Sequence, residues 1–300
     1  MNPVGEQRDP HDPVRVATYL APHVLPVYRL AAERIGEAIG VEAELVVGTD
    51  PEDLAGGVQH AAFLCSPPAL ALADRDPAAV EILAAPVLTG KRYGDRPVHY
   101  SDLIVRAGDP ARSFADLRGW SWAFNEEASH SGYGIMLATL AQRGVGRDFF
   151  GRIERTGSHA RSLRRVASGE VDSAAIDAQV LELELANDPE LGARIRVLEA
   201  LGPSPIQPVV ASTSLTIDDR ARIRHALVDL GRDPADRAVL RSCLIERFVP
   251  VSSEDYAPIR RMRAAVEAAG LDPVSASPGT EGGPGDAGPI PRRRGTGKKG

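Results

Sequence analysis

The apolar run over residues 120–124 stops at Asn125, and by Ile135 an amphipathic helix is under way, continuing through Leu137 and Leu140. A strand that hands so directly to a helix commits the chain to an α/β layer, because the apolar period switches across one short turn. That turn reads Asn125-Glu126-Glu127-Ala128-Ser129-His130-Ser131-Gly132-Tyr133-Gly134. Serine hydroxyls, an imidazole and a glycine therefore crowd the first turn of a helix. Unpaired backbone N–H groups and the positive end of the helix dipole sit there. An oxyanion placed at such a point meets backbone and side-chain donors together. A plain N-cap role for Ser129 or Ser131 is the other reading, and the motif alone leaves both open.

The same alternation runs along the chain. Strands are expected over 14–20, 43–47, 60–65 and 81–85, with a helix over 25–39 and a short one after Pro68. An extended segment follows over 99–106. The pattern then repeats, with strands at 120–124, 153–156, 173–176 and 194–198 and helices from about 131, over 159–167 and over 179–185. A strand at 208–212 and helices near 217–230, 234–244 and 255–269 close the series. Such alternation predicts α/β sheets covered by helices on both faces.

With 300 residues the chain has room for two domains of ordinary size. A net charge of -6 argues against a general nucleic-acid binder, and no nucleic-acid partner is expected. Cys65 and Cys243 lie far apart, without metal-ligand spacing and with apolar neighbours, so they read as reduced, buried thiols and no metal is expected. The first residues lack a basic segment followed by an apolar one, so the chain as written is expected in the cytoplasm. Its place is extracytoplasmic if an export signal is missing from this sequence. No apolar run approaches the length of a membrane span. There is no GxSxG elbow, Walker A loop, HExxH or GxGxxG after the first strand, and no cofactor is expected.

Several blocks, in order, resemble a known family. They are Ala62-Phe63-Leu64-Cys65 before a proline turn, then Pro97-Val98-His99-Tyr100-Ser101-Asp102-Leu103-Ile104-Val105-Arg106, then Ser113-Phe114-Ala115-Asp116-Leu117-Arg118-Gly119. Ser129-His130-Ser131-Gly132-Tyr133 follows, with Thr156-Gly157-Ser158-His159 and the run from Ala167 to Asp177. From about residue 14 to 265 the chain resembles substrate-binding proteins of phosphate, phosphite and phosphonate ABC transporters. His130 departs from the Ser-Thr-Ser-Gly-Tyr often found in the phosphonate-binding branch.

The resemblance implies an α/β, two-lobed fold of the type II periplasmic-binding-protein kind, with a central ligand cleft and two hinge strands. Lobe 1 would comprise 14–100 and 205–270, and lobe 2 residues 101–204. It further implies non-catalytic binding of a small oxyanion, with an ABC transporter permease as partner or a role as a related sensor. Ser129, His130 and Ser131 would bind the oxyanion, and His159 would add a second hydrogen bond. Tyr100 would reach the ligand from the hinge, or pack there. Asp177 would accept from a protonated oxyanion or an amine substituent, or cap the next helix. Tyr19 and Ser66 stand at strand ends on the lobe-1 side, as ligand groups or plain loop residues. His23, His60 and His225 read as structural or exposed. The same fold also hosts cytosolic enzymes resembling chorismate dehydratase or the thiamine-pyrimidine synthase, which keeps an enzyme as the alternative.

Residues 1–13 and 271–300 are expected to be disordered, the latter being rich in glycine and proline and ending in a basic cluster. Deleting 273–300 is therefore predicted to leave the melting temperature and ligand affinity unchanged. A clear drop in melting temperature would show that the tail docks on the body.

Overall fold

A computed structural model describes residues 12–271. The expected disordered ends thus lie almost wholly outside the described residues, although Leu271 is buried. In chain order the strands are β1 (Val14–Thr18), β2 (Ala43–Val47), β3 (Ala61–Phe63), β4 (Val80–Leu88), β5 (Val98–Arg106) and β6 (Ser121–Phe124). They continue as β7 (Arg152–Arg155), β8 (Ser173–Asp177), β9 (Ile195–Pro205), β10 (Val209–Ser212) and β11 (Ile245–Pro250). The helices are α1 (Leu25–Ile39), α2 (Glu52–Ala55), α3 (Ser66–Arg75), α4 (Ile135–Gln142) and α5 (His159–Ser168). After them come α6 (Ala178–Asn187), α7 (Pro189–Arg194), α8 (Ile217–Asp229), α9 (Pro234–Ser242) and α10 (Ala257–Ala268).

Two sheets form. One runs β11-β4-β10-β3-β1-β2, the other β7-β6-β8-β5-β9. β1 pairs in parallel with β2 and β3, and β6 with β7 and β8, while β5, β10 and β11 join antiparallel. The inner strands β5, β6 and β8 of the second sheet are buried on both faces, and alternation along them shows it. Leu103 and Val105 of β5, Trp122 and Phe124 of β6 and Ala175 of β8 enter one core with α4. Ile104, Ala123, Ala174 and Ile176 enter the opposite core with Leu163 and Val166 of α5 and Leu181 of α6. Burial on both faces is why these strands read as unbroken apolar runs.

The chain passes between the sheets after β4 and again after β9. These two crossings lie side by side, since Val98 faces Pro205 and the Ile206 N–H donates to the Pro97 carbonyl at 3.0 Å. The long paired strands β5 and β9 start or end at this point. α10 makes a third link. Ile259 packs in the core of the first sheet, whereas Val266, Met262 and Leu271 pack in the core beside α4. The segment assigned to lobe 1 over 205–270 therefore straddles both halves.

Because Leu103 is fully buried on the inner strand β5 of the second sheet, Leu103→Ala is predicted to cost about 2–5 kcal/mol of stability. Urea unfolding with an unchanged slope measures it.

Candidate functional site: the cleft between the two sheets

The C-terminal ends of β1, β3, β6 and β8 face a common cavity of about 320 Å³. Ligand sites of open α/β sheets lie at such strand ends. The first half contributes Tyr19, the loop 20–24, Tyr28 of α1, Cys65 and Gln207. The second contributes Asn125, Glu126, Ser129, Ser131, Gly157 to Ala160, Asp177, Gln179 and Val180.

The serine motif is organised by a wide turn. Residues His130–Gly134 form one π-helical turn ahead of α4, with the Gly134 N–H reaching the Ser129 carbonyl at 3.0 Å. Ser129 caps this turn, its Oγ accepting from the Gly132 N–H at 3.0 Å. Extra residues in a helical turn recur at functional sites. Gly132 is required here, because a Cβ would stand 1.8 Å from Asn125 Oδ1 and 3.1 Å from His159 Cε1. The buried Asn125 Oδ1 has no hydrogen-bond partner.

Ser131 Oγ lies 3.1 Å from His159 Nε2, and both side chains are buried in the cleft wall. His159 opens α5, whose N-terminus is capped by Ser158. Its Nδ1 is buried and unpartnered. Burial lowers the His159 imidazole to about 4, against an opposing pull from the Asp177 charge. The ring is therefore neutral near pH 7.

Asp177 ends β8 and caps α6, its Oδ1 accepting from the N–H groups of Gln179 and Val180. Its Oδ2 sits 3.0 Å from His99 Nδ1 and accepts from Gln207 Nε2 at 3.0 Å. Burial pushes the carboxyl up, but the His99 hydrogen bond and charge, with smaller contributions from His159 and Gln207, hold it well below the usual carboxylate range. A carboxylate has about four lone-pair sites, and four donors already occupy these. The capping reading of Asp177 is thus realised in the geometry.

Tyr19 also lines the cleft. Its hydroxyl lies 2.7 Å from both the Asp50 carbonyl and Gln59 Oε1, and its ring lies flat where a Cβ on Gly48 would collide. Tyr100, Ser66 and His130 are not among the lining residues. Tyr100 lies beneath the Arg92 guanidinium, 4.7 Å from its ring centre, and beside Tyr93. Ser66 is buried as the first residue of α3, with a hydroxyl that has no partner. The His130 ring packs behind the wall, with Nε2 2.9 Å from Ser204 Oγ. Burial, then the nearby His99 charge, lowers it to about 3. Cys65 is half-buried, accepts weakly from the His130 N–H and has its thiol raised to about 12 by burial.

Several groups that sequence reasoning read as structural or did not single out also meet here. His23 Nε2 lies 2.7 Å from Glu184 Oε1, and Arg164 donates to the other oxygen of that carboxylate at 3.0 Å. This pair joins the two halves of the molecule. So do Gln179 Nε2 to the Cys243 carbonyl at 2.6 Å and the Tyr93 hydroxyl to Glu182 at 3.2 Å. Asn125 already stood in the motif after the strand at 120–124, whereas His23 was read as structural or exposed and Gln207 carried no signal. Among the described residues, no group of three or more histidine, cysteine, aspartate or glutamate side chains is placed to hold a metal ion.

Residues 17–256 match the family model of ABC transporter, phosphonate, periplasmic substrate-binding protein. The chain belongs to that family. The fold is shared with solved structures of low identity. A binding-protein component of an ABC phosphonate transporter from Pseudomonas aeruginosa is 18% identical with a TM-score of 0.73, over 87% of this chain and 88% of that one. PhnD1 of Prochlorococcus marinus, solved in complex with methylphosphonate, is 16% identical with a TM-score of 0.73, over 86% and 99%. A Xanthomonas citri protein bound to ATP is 19% identical with a TM-score of 0.64, over 85% and 97%. Membership of the phosphonate family implies a small-molecule ligand, a transporter permease as partner and an extracytoplasmic place of work. That place departs from the cytoplasmic expectation for the chain as written. No helix among the described residues is long and apolar enough to cross a membrane.

The buried imidazoles of His130 and His159 predict acid sensitivity. Both are neutral when folded but take up a proton below about pH 6.5 when unfolded, so the unfolded state binds more protons there. Stability is full above that value and falls by about 1.4 kcal/mol per pH unit for each ring, until the folded values near 4 and 3 are reached. Asp177 adds its own loss only below about pH 4. Urea unfolding between pH 7 and about 4.5 checks this, and a flat profile would contradict it.

Proposed function

We propose that this phosphonate-family chain binds a small oxyanion (phosphate, phosphite or a phosphonate) in the cleft without transforming it, as the substrate-binding component of an ABC transporter. The convergence of Ser129, Ser131 and His159 carries this reading. They arrive from two separate helical N-termini, so side-chain donors and oriented backbone dipoles point into one cavity. Asn125 adds an amide at the end of β6. Tyr19 lines the opposite wall, its hydroxyl proton engaged by the Asp50 carbonyl or Gln59 Oε1. Methylphosphonate bound to PhnD1 of Prochlorococcus marinus supports a ligand of this class.

The Ser131–His159 contact also has the spacing of a nucleophile and its base. Catalysis of that kind normally needs a third group to orient the imidazole. His159 Nδ1 has no such partner, which favours binding over turnover.

Replacing Ser131 by Ala removes a hydrogen bond to a charged ligand, worth about 1.5–3 kcal/mol, and predicts a roughly ten- to hundred-fold weaker Kd. Ser131 caps nothing, but its loss leaves the buried His159 Nε2 without its partner and should lower stability by about 1–3 kcal/mol. Ser129→Ala removes the cap as well and should also lower stability by about 1 kcal/mol. Calorimetric titration with phosphate, phosphite and methylphosphonate, beside thermal melts, decides. If both variants bind every wild-type ligand normally, the site lies elsewhere.

A further inference from the structure

His130 stands between Ser129 and Ser131, both of which line the cavity, yet its own side chain packs behind the wall and is buried. It is also where the motif departs from the Ser-Thr-Ser-Gly-Tyr often found in the phosphonate-binding branch. What holds the ring is specific. Nε2 lies 2.9 Å from Ser204 Oγ, and Ser204 is itself buried, 3.9 Å from Met262 Sδ of α10. Ser204 faces His99 across the ladder of β5 and β9, where the chain crosses between the sheets. The His99 ring lies 5.9 Å from the His130 ring, and its Nδ1 meets Asp177. Burial keeps the His130 imidazole neutral near pH 7, so its contact with Ser204 joins two neutral groups. A threonine hydroxyl, much closer to its own Cα, would not span to Ser204.

The contact has a consequence for the cavity in front of it. Successive residues of a helical turn project in different directions, so rotating the turn moves all their side chains together. With the His130 ring fixed behind the wall, the direction in which Ser129 Oγ and Ser131 Oγ face the cavity is fixed as well. Direction matters, because hydrogen bonds weaken steeply when they are bent.

We infer that His130 and Ser204 are positioning residues for ligand binding. Their hydrogen bond ties the serine turn to the return crossing and sets how Ser129 and Ser131 meet an oxyanion that neither His130 nor Ser204 touches. This rests on the reading of the cleft as an oxyanion site.

Calorimetric titration of the full chain with methylphosphonate and with inorganic phosphate tests the inference in Ser204→Ala, His130→Leu and the double variant. Each single variant weakens binding about two- to tenfold, the range that corresponds to one hydrogen bond between neutral groups. The double variant binds no more weakly than the weaker single, because both changes break the same contact. Leu227→Ala controls for stability alone. Leu227 of α8 is buried in the core of the first sheet and does not line the cleft, so this variant melts lower and keeps wild-type affinity. Ser204→Ala binding as the wild type does, with only its melting temperature lowered, would overturn the inference. So would losses that multiply in the double variant, since they would come from two independent effects. Ser204→Ala is a small truncation and decides the question even where His130→Leu fails to fold. Weakened binding in Ser131→Ala beside unchanged binding in Ser204→Ala overturns the positioning role and leaves the oxyanion reading standing. Normal binding in both Ser129→Ala and Ser131→Ala, or no binding of either ligand to the wild type, overturns both.

Discussion

Everything around the cleft hangs on one buried carboxylate. Asp177 is 4% exposed and accepts from four donors that come from three parts of the chain. His99 reaches it from the start of β5, where the chain has just crossed from one sheet to the other. Gln207 reaches it from the return crossing, and the backbone of α6 supplies the other two N–H groups. A buried charge is tolerated only when it is paired and fully hydrogen-bonded. Meeting that demand therefore fixes both crossings, the end of β8 and the start of α6 relative to one another. The neighbouring imidazoles follow from it. His159 feels the Asp177 charge, yet burial wins and leaves the ring neutral.

A neutral ring beside a neutral hydroxyl gives the site its character. An arginine in this place would supply affinity by charge and bring its own desolvation cost. The donors here are weaker one by one, but they are positioned by secondary structure. Ser129 is fixed by its cap bond to Gly132, Ser131 by the π-helical turn, and His159 by its place as first residue of α5. Groups held this way lose little freedom when they take up a ligand. Gly132 belongs to the same arrangement, since the Asn125 amide can sit over the turn only where no Cβ stands.

Much of this was legible in the sequence, and the reasons are specific. The second sheet could be read because both faces of its strands are buried, which turns 120–124 and 173–176 into unbroken apolar runs. The serine motif could be located because a strand, a short loop and a helix start leave their periods on either side. Which side chains of the motif face the cleft was not legible. Consecutive residues of a helical turn project in different directions, so Ser129 and Ser131 line the cavity while His130 between them packs on Ser204. β11 was overlooked because it follows a helix without a turn signature, Leu244 itself taking the left-handed conformation at φ 61°. The two-sided packing of α10 was hidden for another reason. An amphipathic pattern over 255–269 shows an apolar face but does not say which core receives it. The Asp177 cluster was least accessible, since His99 and Asp177 stand 78 residues apart and only the fold joins them.

The contacts that bridge the cleft bear on how the two halves respond to a ligand. His23 with Glu184, Gln179 with the Cys243 carbonyl, Gln207 with Asp177 and Tyr93 with Glu182 all join the halves directly. A typical intramolecular hydrogen bond contributes a net 0.5–1.5 kcal/mol, and one to a charged group about 1.5–3. Together these bridges match the binding energy of a modest ligand, since a millimolar Kd corresponds to about 4 kcal/mol. The relative placement of the two halves is therefore stabilised by the protein's own contacts. A ligand shifts an equilibrium only by its differential affinity for the two arrangements. With the bridges already favouring this arrangement, that difference can be small. Neutral donors such as Ser131 and His159, which offer less energy than a cationic clamp, therefore suit a cleft whose halves the protein's own bridges already join.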